Sequence, residues 1–417
     1  MRVTRLKLAN LRAIESAEFR FQAGFNLIVG VNGVGKTSVL DGLGVCLSGI
    51  VKQLNRLRTP VRAFSMEDIR IGAEVLDVEC GVRVADHEYT YLIHKPREAS
   101  VAHERGTGKP REQVQDTPEK AGFLGTPPQP VTGRESDGRP IAVLFSTSRA
   151  VPSERTPSKA VSAGGPTAAM ADAFANRELR IGELASWMRV QAALGAERPA
   201  SGRSFAAVAE AVTRFLPGYS NLHLAGDGGH PLMIERGKTT IPVRQLSDGE
   251  RGILALVLDL TRRLTQANPS MADPAADAEA VVLIDEIDLH LHPRWQRQIV
   301  RNLTATFPRC QFIATTHSPQ VVGEVEHHRI QIIADSQVYS PPHSFGVDSS
   351  RVLEEIMDAD PRTPEVKELL SKLSAEISAQ HFDEARRLLA DLTVQLGEND
   401  PDVTRARTLI DFMEGKE

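Results

Sequence analysis

Residues 30–38 read GVNGVGKTS and fit G-x-x-x-x-G-K-[ST] without a mismatch. The chemistry open to such a stretch is phosphate binding. Its glycines let the backbone turn tightly and aim successive N–H groups at one anion. Lys36 can then reach β/γ-phosphate oxygens, and the Thr37 hydroxyl can hold Mg²⁺. The candidate binding residues are Gly30, Asn32, Gly33, Gly35, Lys36, Thr37 and Ser38. More reactive side chains lie far downstream: Asp285-Glu286 after the apolar run AVVLI, and His317 after QFIATT. Mg²⁺ takes oxygen ligands in near-octahedral geometry, so Asp285 is a candidate to join Thr37 there, directly or through water. Glu286 can orient or deprotonate an attacking water. His317 can contact a γ-phosphate and report its loss. The catalytic candidates are therefore Glu286 and His317. Ser247 and Gly249 belong to LSDGE, just ahead of an apolar helix whose N-terminus has the polarity to clasp a phosphate. Taken alone they are ordinary helix-capping residues.

The elements that must position these groups can be read from the pattern around them. FNLIV (25–29) is a buried strand and 39–47 a helix, so the phosphate loop sits between strand and helix. AVVLI (280–284) and QFIATT (311–316) are strands that end in Asp285-Glu286 and His317. A helix runs from Pro293 to Phe307 between them. Strands alternating with helices predict a largely parallel sheet, with its chemistry at the strand C-terminal ends. Further strands are expected at 3–8, 17–21, 141–147, 223–234 and 239–243, and a hairpin over 74–84 and 88–94 turning at 85–87. Arg149 follows the 141–147 strand, where ligand loops of such sheets gather. Helices are expected at 167–194, with Phe174, Leu179, Leu184 and Trp187 on one face, and at 205–215. Residues 95–140 are crowded with Gly, Pro and charge and read as a flexible surface insertion. Residues 265–279 read as a mobile loop. No sustained heptads appear, so a coiled-coil arm is not expected.

Composition bounds the rest. The 417 residues suffice for one large domain plus an appendage, and a net charge of −5 excludes a wholly basic nucleic-acid binder. Cys46, Cys80 and Cys310 lie far apart, which argues against disulfides and zinc and suits a reducing cytosol. The opening MRVTRLKLANLR lacks a signal-peptide core, and no apolar run is long enough to span a membrane. A cytoplasmic location is expected.

Together these motifs resemble the ABC-type ATPase heads of the RecF, SMC/Rad50 and OLD group. The matching parts are Walker A (30–37), the signature-like LSDGE (246–250), Walker B (281–286), a D-loop-like segment (287–293) and a switch histidine, His317. Asn10-Leu11-Arg12 also looks like that group, in which the arginine approaches the nucleotide. The resemblance covers residues 1 to about 323. It implies an α/β fold: a mixed, largely parallel sheet flanked by helices, with an N-terminal antiparallel sheet and a C-terminal helical region. It also implies ATP and Mg²⁺, and a dimer or dimer of dimers that sandwiches ATP, each site completed by the partner's signature helix. The signature here is SDGE rather than SGGQ, and no Q-loop glutamine stands out, with Asp68 in roughly that region.

Residues 1–346 would form the head, with a helical insertion at about 167–217, and 347–417 an acidic helical region. That last segment holds 9 Lys/Arg against 17 Asp/Glu. Acidic helices repel phosphate backbones, so a protein partner is expected there. Helices are expected at 350–357, 363–380, 382–396 and 403–413, the last two resembling a two-helix repeat. A head of this size with a short helical tail looks most like the ATPase of Septu and retron anti-phage systems, clearest at DSSRVLEEIM and HFDEARRLLADL. That resemblance implies a separate HNH-type nuclease partner. Contact with DNA or retron nucleic acid stays open. The alternatives are a RecF-like DNA-repair ATPase and an OLD-like nuclease. The latter would need further strands bearing an isolated Glu and a D-x-D after His317.

Overall fold

The computed structural model describes the chain except residues 58–60, 104–111, 131–137, 151–164, 196, 198, 226–231, 335–336 and 416–417. It begins with β1 (Arg2–Leu11), β2 (Ile14–Arg20), β3 (Phe25–Val29), α1 (Lys36–Leu54), β4 (Val75–Val84) and β5 (His87–Pro96). Then come β6 (Ala99–His103), β7 (Glu112–Asp116), β8 (Lys120–Phe123), β9 (Ile141–Phe145), α2 (Pro166–Ala169), α3 (Ile181–Leu194) and α4 (Pro199–Phe215). The middle of the chain forms β10 (Tyr219–Leu224), β11 (Leu232–Arg236), β12 (Thr239–Pro242), α5 (Asp248–Ala267) and α6 (Pro274–Asp277). After these follow β13 (Ala280–Ile284), α7 (Pro293–Thr306), β14 (Gln311–Thr316), α8 (Pro319–Val322), β15 (Ile330–Ala334) and β16 (Gln337–Tyr339). The tail holds α9 (Ser349–Glu355), α10 (Pro364–Ser378), α11 (Phe382–Leu396) and α12 (Pro401–Met413).

The central sheet has the order β16-β15-β3-β14-β13-β9, parallel except for the β15–β16 edge pair. Every residue of β3, β9, β13 and β14 is buried, as a parallel sheet covered on both faces requires. Each Val, Leu or Ile so placed contributes roughly 1.5–3 kcal/mol before entropy is counted. The N-terminal sheet is antiparallel, β2-β1-β4-β5-β8. Two buried glutamines join the sheets. The Gln311 amide donates to the Val3 carbonyl (2.8 Å) and accepts from its N–H (2.7 Å). Gln331 does the same with Arg20, at 2.5 and 3.0 Å. Each bonds both the N–H and the carbonyl of one residue of the N-terminal sheet.

Several expectations need correction. Residues 95–140 are not uniformly flexible surface. Where described, they hold the β6–β7 hairpin and β8, which extends the N-terminal sheet beside β5. Lys95 is buried and donates to the Thr117 carbonyl at 2.6 Å. Residues 167–194 are not one helix. After α2 the chain turns through Asp172, at a positive φ of 51°, and becomes helical again at Ile181. The loop expected from Thr265 starts later, because Thr265–Ala267 continue α5, and Asp273 then caps α6 by accepting from the Ala276 N–H.

Helix α5 is anchored by a buried ion cluster. Asp259 accepts from Arg262 (2.5 Å) and Arg263 (2.6 Å), and Arg263 also donates to the carbonyls of Ala169 and Ala171. Burial pushes the Asp259 pKa up, but Arg263 and Arg262 outweigh it and hold the carboxyl well below the usual range.

The chain divides into two compact units, Met1–Val352 and Leu353–Glu417, a boundary slightly beyond the expected 346/347. The second unit is a three-helix cluster, not only a helix pair. Helices α10, α11 and α12 share a core of Leu373, Ile377, Ala385, Leu389, Leu392, Val403 and Ile410. Arg362 ties its loops by bonding both Asp400 and Asp402. Leu409, Phe412 and Met413 are exposed along α12.

Asp259→Ala leaves the buried Arg263 guanidinium without a carboxylate and Arg262 with Glu183 alone, at 3.6 Å, and should cost about 3–5 kcal/mol, read as a lower thermal midpoint at neutral pH. The native carboxylate's contribution is present above the unfolded pKa of about 4 and fades as pH falls below it. The gap between the two proteins should therefore narrow on acidification.

Candidate nucleotide-binding site

Three neighbouring strands, β3, β14 and β13, end on the same side of the sheet. Val29 pairs with Thr316, and Ile284 with Ala314. One residue further on, the chain delivers Gly30, His317 and Asp285. Parallel register thus brings groups some 250 residues apart in sequence to one rim. A cavity of about 230 Å³ opens there, lined by Asn32, Gly33, Gly35, Lys36, Thr37, Ser38, Asp285, Glu286 and His317.

Gly35 is the N-cap of α1, in the left-handed region at φ 106°, and contributes no side chain to cap the helix. The first N–H groups of α1 therefore face the cavity with the dipole's positive end. A Cβ on Gly35 would also lie 2.9 Å from Ile14. Lys36 Nζ donates to the carbonyls of Gly30 (2.7 Å) and Val31 (2.9 Å), inside the loop it serves. Burial lowers the Lys36 pKa, while Glu286, Asp285 and Asp288 pull it back up.

Thr37 Oγ1 donates to Asp285 Oδ2 at 3.0 Å. That is the separation of adjacent oxygens in an octahedron with metal–oxygen bonds of about 2.1 Å, so the pair fits Mg²⁺. Thr315 holds this arrangement from behind. Its hydroxyl donates to Asp285 Oδ1 (2.7 Å) and accepts from the Glu286 N–H (2.7 Å). Asp288 in the next turn accepts from Thr316 Oγ1 (2.5 Å) and from the His317 N–H (3.3 Å). The segment after Walker B is thus bonded to the strand that carries the histidine.

Other expected residues lie elsewhere. Arg12 does not line the cavity. It donates to Asp68 Oδ1 (2.9 Å) and to Asp41 Oδ2 on α1 (2.7 Å). Asp68, placed near a Q-loop position by sequence, is that arginine's partner and is also absent from the lining. Ser247 caps α5 in a reciprocal capping box with Glu250. Glu250 in turn accepts from the Tyr219 hydroxyl at 2.6 Å. Gly249 packs so closely on the His290 carbonyl that a Cβ would lie 2.4 Å from its oxygen. Neither Ser247 nor Gly249 reaches the cavity of its own chain. Sequence reasoning missed Thr315 and Tyr219. A threonine inside a buried apolar strand was the available signal for the first, and the hydroxyl of Tyr219 depends on tertiary approach.

In strand order and in the residues gathered at its rim, the chain is similar to an ABC-type ATPase head. Family models agree in kind: one described as "AAA domain, putative AbiEii toxin, Type IV TA system" matches residues 192–323, and one described as "AAA domain" matches 5–121. Within that class the chain is similar to the retron Ec83 probable ATPase of Escherichia coli, 40% identical over 198 residues, which is 46% of this chain and 36% of that protein. It is likewise similar to the retron Vc95 probable ATPase of Vibrio cholerae serotype O1 biovar El Tor, 40% identical over 126 residues, 30% of this chain and 24% of that protein. The Septu protein PtuA of Bacillus mycoides is 48% identical over 77 residues, 18% of this chain and 10% of that protein. The chain thus spans about a third or less of the length of these relatives.

Thr315→Val keeps the shape but removes both hydroxyl contacts. Loss of such a supporting bond typically lowers metal affinity or activity about 10–100-fold. Turnover should fall by about that factor with a raised Mg²⁺ requirement, while metal-free nucleotide binding stays near wild type.

Proposed function

We propose that this chain binds ATP with Mg²⁺, hydrolyses it between two copies of itself, and uses that cycle to regulate a partner nuclease in anti-phage defence. The observation that carries the first part is the Thr37–Asp285 pair at 3.0 Å, flanked in one cavity by Lys36, Glu286 and His317. Lys36 and the N–H groups at the start of α1 bind the β- and γ-phosphates. Thr37 and Asp285 hold Mg²⁺, which neutralises phosphate charge when bound. Glu286 orients the attacking water and takes its proton, and His317 senses the γ-phosphate.

The case for two copies rests on Ser247 and Gly249. They stand at a helix N-terminus with the polarity for phosphate, yet outside the cavity of their own chain. A second copy facing the first would bring one chain's signature helix to the other's triphosphate. The defence role rests on the likeness to retron and Septu ATPases. The acidic unit 353–417, with apolar side chains exposed on α12, is the docking face we assign to an HNH-type nuclease. A self-contained OLD-like nuclease has less support. Past His317 the described strands are β15 and β16, at the edge of the same sheet, and the rest of the described secondary structure is helical.

Glu286→Gln should bind ATP normally, hydrolyse it on the order of 100-fold more slowly, and accumulate as an ATP-dependent dimer by light scattering. Wild-type turnover would remove Glu286 from its role. A protein ending at Val352 should keep ATPase activity and lose co-purification with a co-expressed HNH-type nuclease. Continued co-purification would move the docking face elsewhere.

A further inference from the structure

The sequence sets Arg149 just past β9, where ligand loops gather, yet Arg149 does not line the nucleotide cavity. It is buried beneath the turn that carries Asp285 and Glu286. Its Nη1 donates to the carbonyls of Asp285 (2.5 Å), Ser146 (2.9 Å) and Phe145 (3.4 Å), and its Nη2 to the carbonyl of Glu286 (2.7 Å). All four acceptors are main-chain oxygens. A guanidinium is suited to this because its donors form a rigid planar fork.

The turn it supports is strained. Glu286 has φ 46°, in the left-handed region that a residue with a Cβ enters only when its surroundings impose it. Thr315 accepts from the N–H of Glu286, and Arg149 donates to its carbonyl. Both peptide groups are therefore fixed, and the direction of the carboxylate follows from them. Burial lowers the Arg149 pKa to about 10 while Asp285, Asp288 and Glu286 oppose the drop, so the side chain is cationic at neutral pH.

We infer that Arg149 is a positioning residue for hydrolysis: it holds Glu286 in its left-handed turn and so sets where the carboxylate meets the attacking water, while taking no part in nucleotide binding. This rests on Glu286 being the group that activates water. Arg149→Lys keeps the charge but cannot reproduce the fork. Displacement of a reacting group by about 1 Å can cost on the order of 100-fold. We expect kcat to fall about 10–100-fold, with KM and ATP affinity within about twofold of wild type.

A purely structural role would not distinguish kcat from KM, nor depend on Glu286. In the Glu286→Gln background, adding Arg149→Lys should change the residual rate by less than about threefold, because the group it aims is already gone. If Arg149→Lys alone leaves kcat at the wild-type value, or lowers ATP affinity in step with kcat, the inference is wrong. It is also wrong if the substitution lowers the Glu286→Gln rate as much as the wild-type rate. Full activity in Glu286→Gln by itself would instead bring down the role of Glu286. Should Arg149→Lys not fold, Arg149→Gln, a shorter planar donor, reads the same ratios. If neither variant folds, Arg149 serves the fold rather than the reaction, and the inference fails.

Discussion

Asp285 is caught between two threonine hydroxyls, and the rest of the site depends on that grip. Thr37 belongs to the first turn of α1, while Thr315 lies on the strand between the loop-bearing strand and the strand that Asp285 terminates. A carboxylate at the end of a buried strand is costly unless its oxygens find donors. Here the donors come from the two elements whose separation matters for phosphate chemistry. The bonds that make Asp285 tolerable also fix its distance from the glycine-rich loop. Removing a hydroxyl would thus cost geometry as well as hydrogen bonding.

The same economy recurs further out. Thr316 and the His317 N–H both donate to Asp288, so one carboxylate in the turn after β13 holds the end of β14. Gly249 rests against the His290 carbonyl, which puts the start of α5 in contact with the same segment. The buried Asp259 cluster then ties α5 to the α2 segment. A continuous path of packed and bonded groups therefore runs from the signature helix to the histidine.

Legibility from sequence followed physical simplicity. β3 and β13 were readable to the residue, because a strand buried on both faces is an unbroken apolar run ended by a polar turn. The phosphate loop was readable because few side chains permit its backbone. The β6–β7 hairpin was not, since a pairing at the surface needs no apolar alternation. The break between α2 and α3 escaped because residues 170–180 hold no Gly or Pro to mark it, and the turn is made by Asp172 at positive φ. Arg12 was legible as a residue of the head but not as the partner of Asp41 and Asp68, because ion pairs between distant segments leave no local trace.

The charge distribution on α5 bears on how two heads could meet. Asp248 and Glu250 both stand in the first turn, where a carboxylate favours the helix dipole but would repel an approaching triphosphate. Each has its own neighbour. Arg251 bonds Asp248, while Glu250 accepts from Tyr219, whose ring lies under Arg236. Burial pushes the Glu250 pKa up, but bonds from Tyr219 and Ser247 hold it lower, so it stays ionised and satisfied where it is. With both acids bonded in place, the repulsion they could offer a phosphate is reduced, and the Ser247 hydroxyl, now donated to Glu250, could turn to an incoming oxygen while Tyr219 keeps Glu250 bonded. An acidic signature and a phosphate-binding role are therefore compatible, provided the acids are held by groups on the same chain.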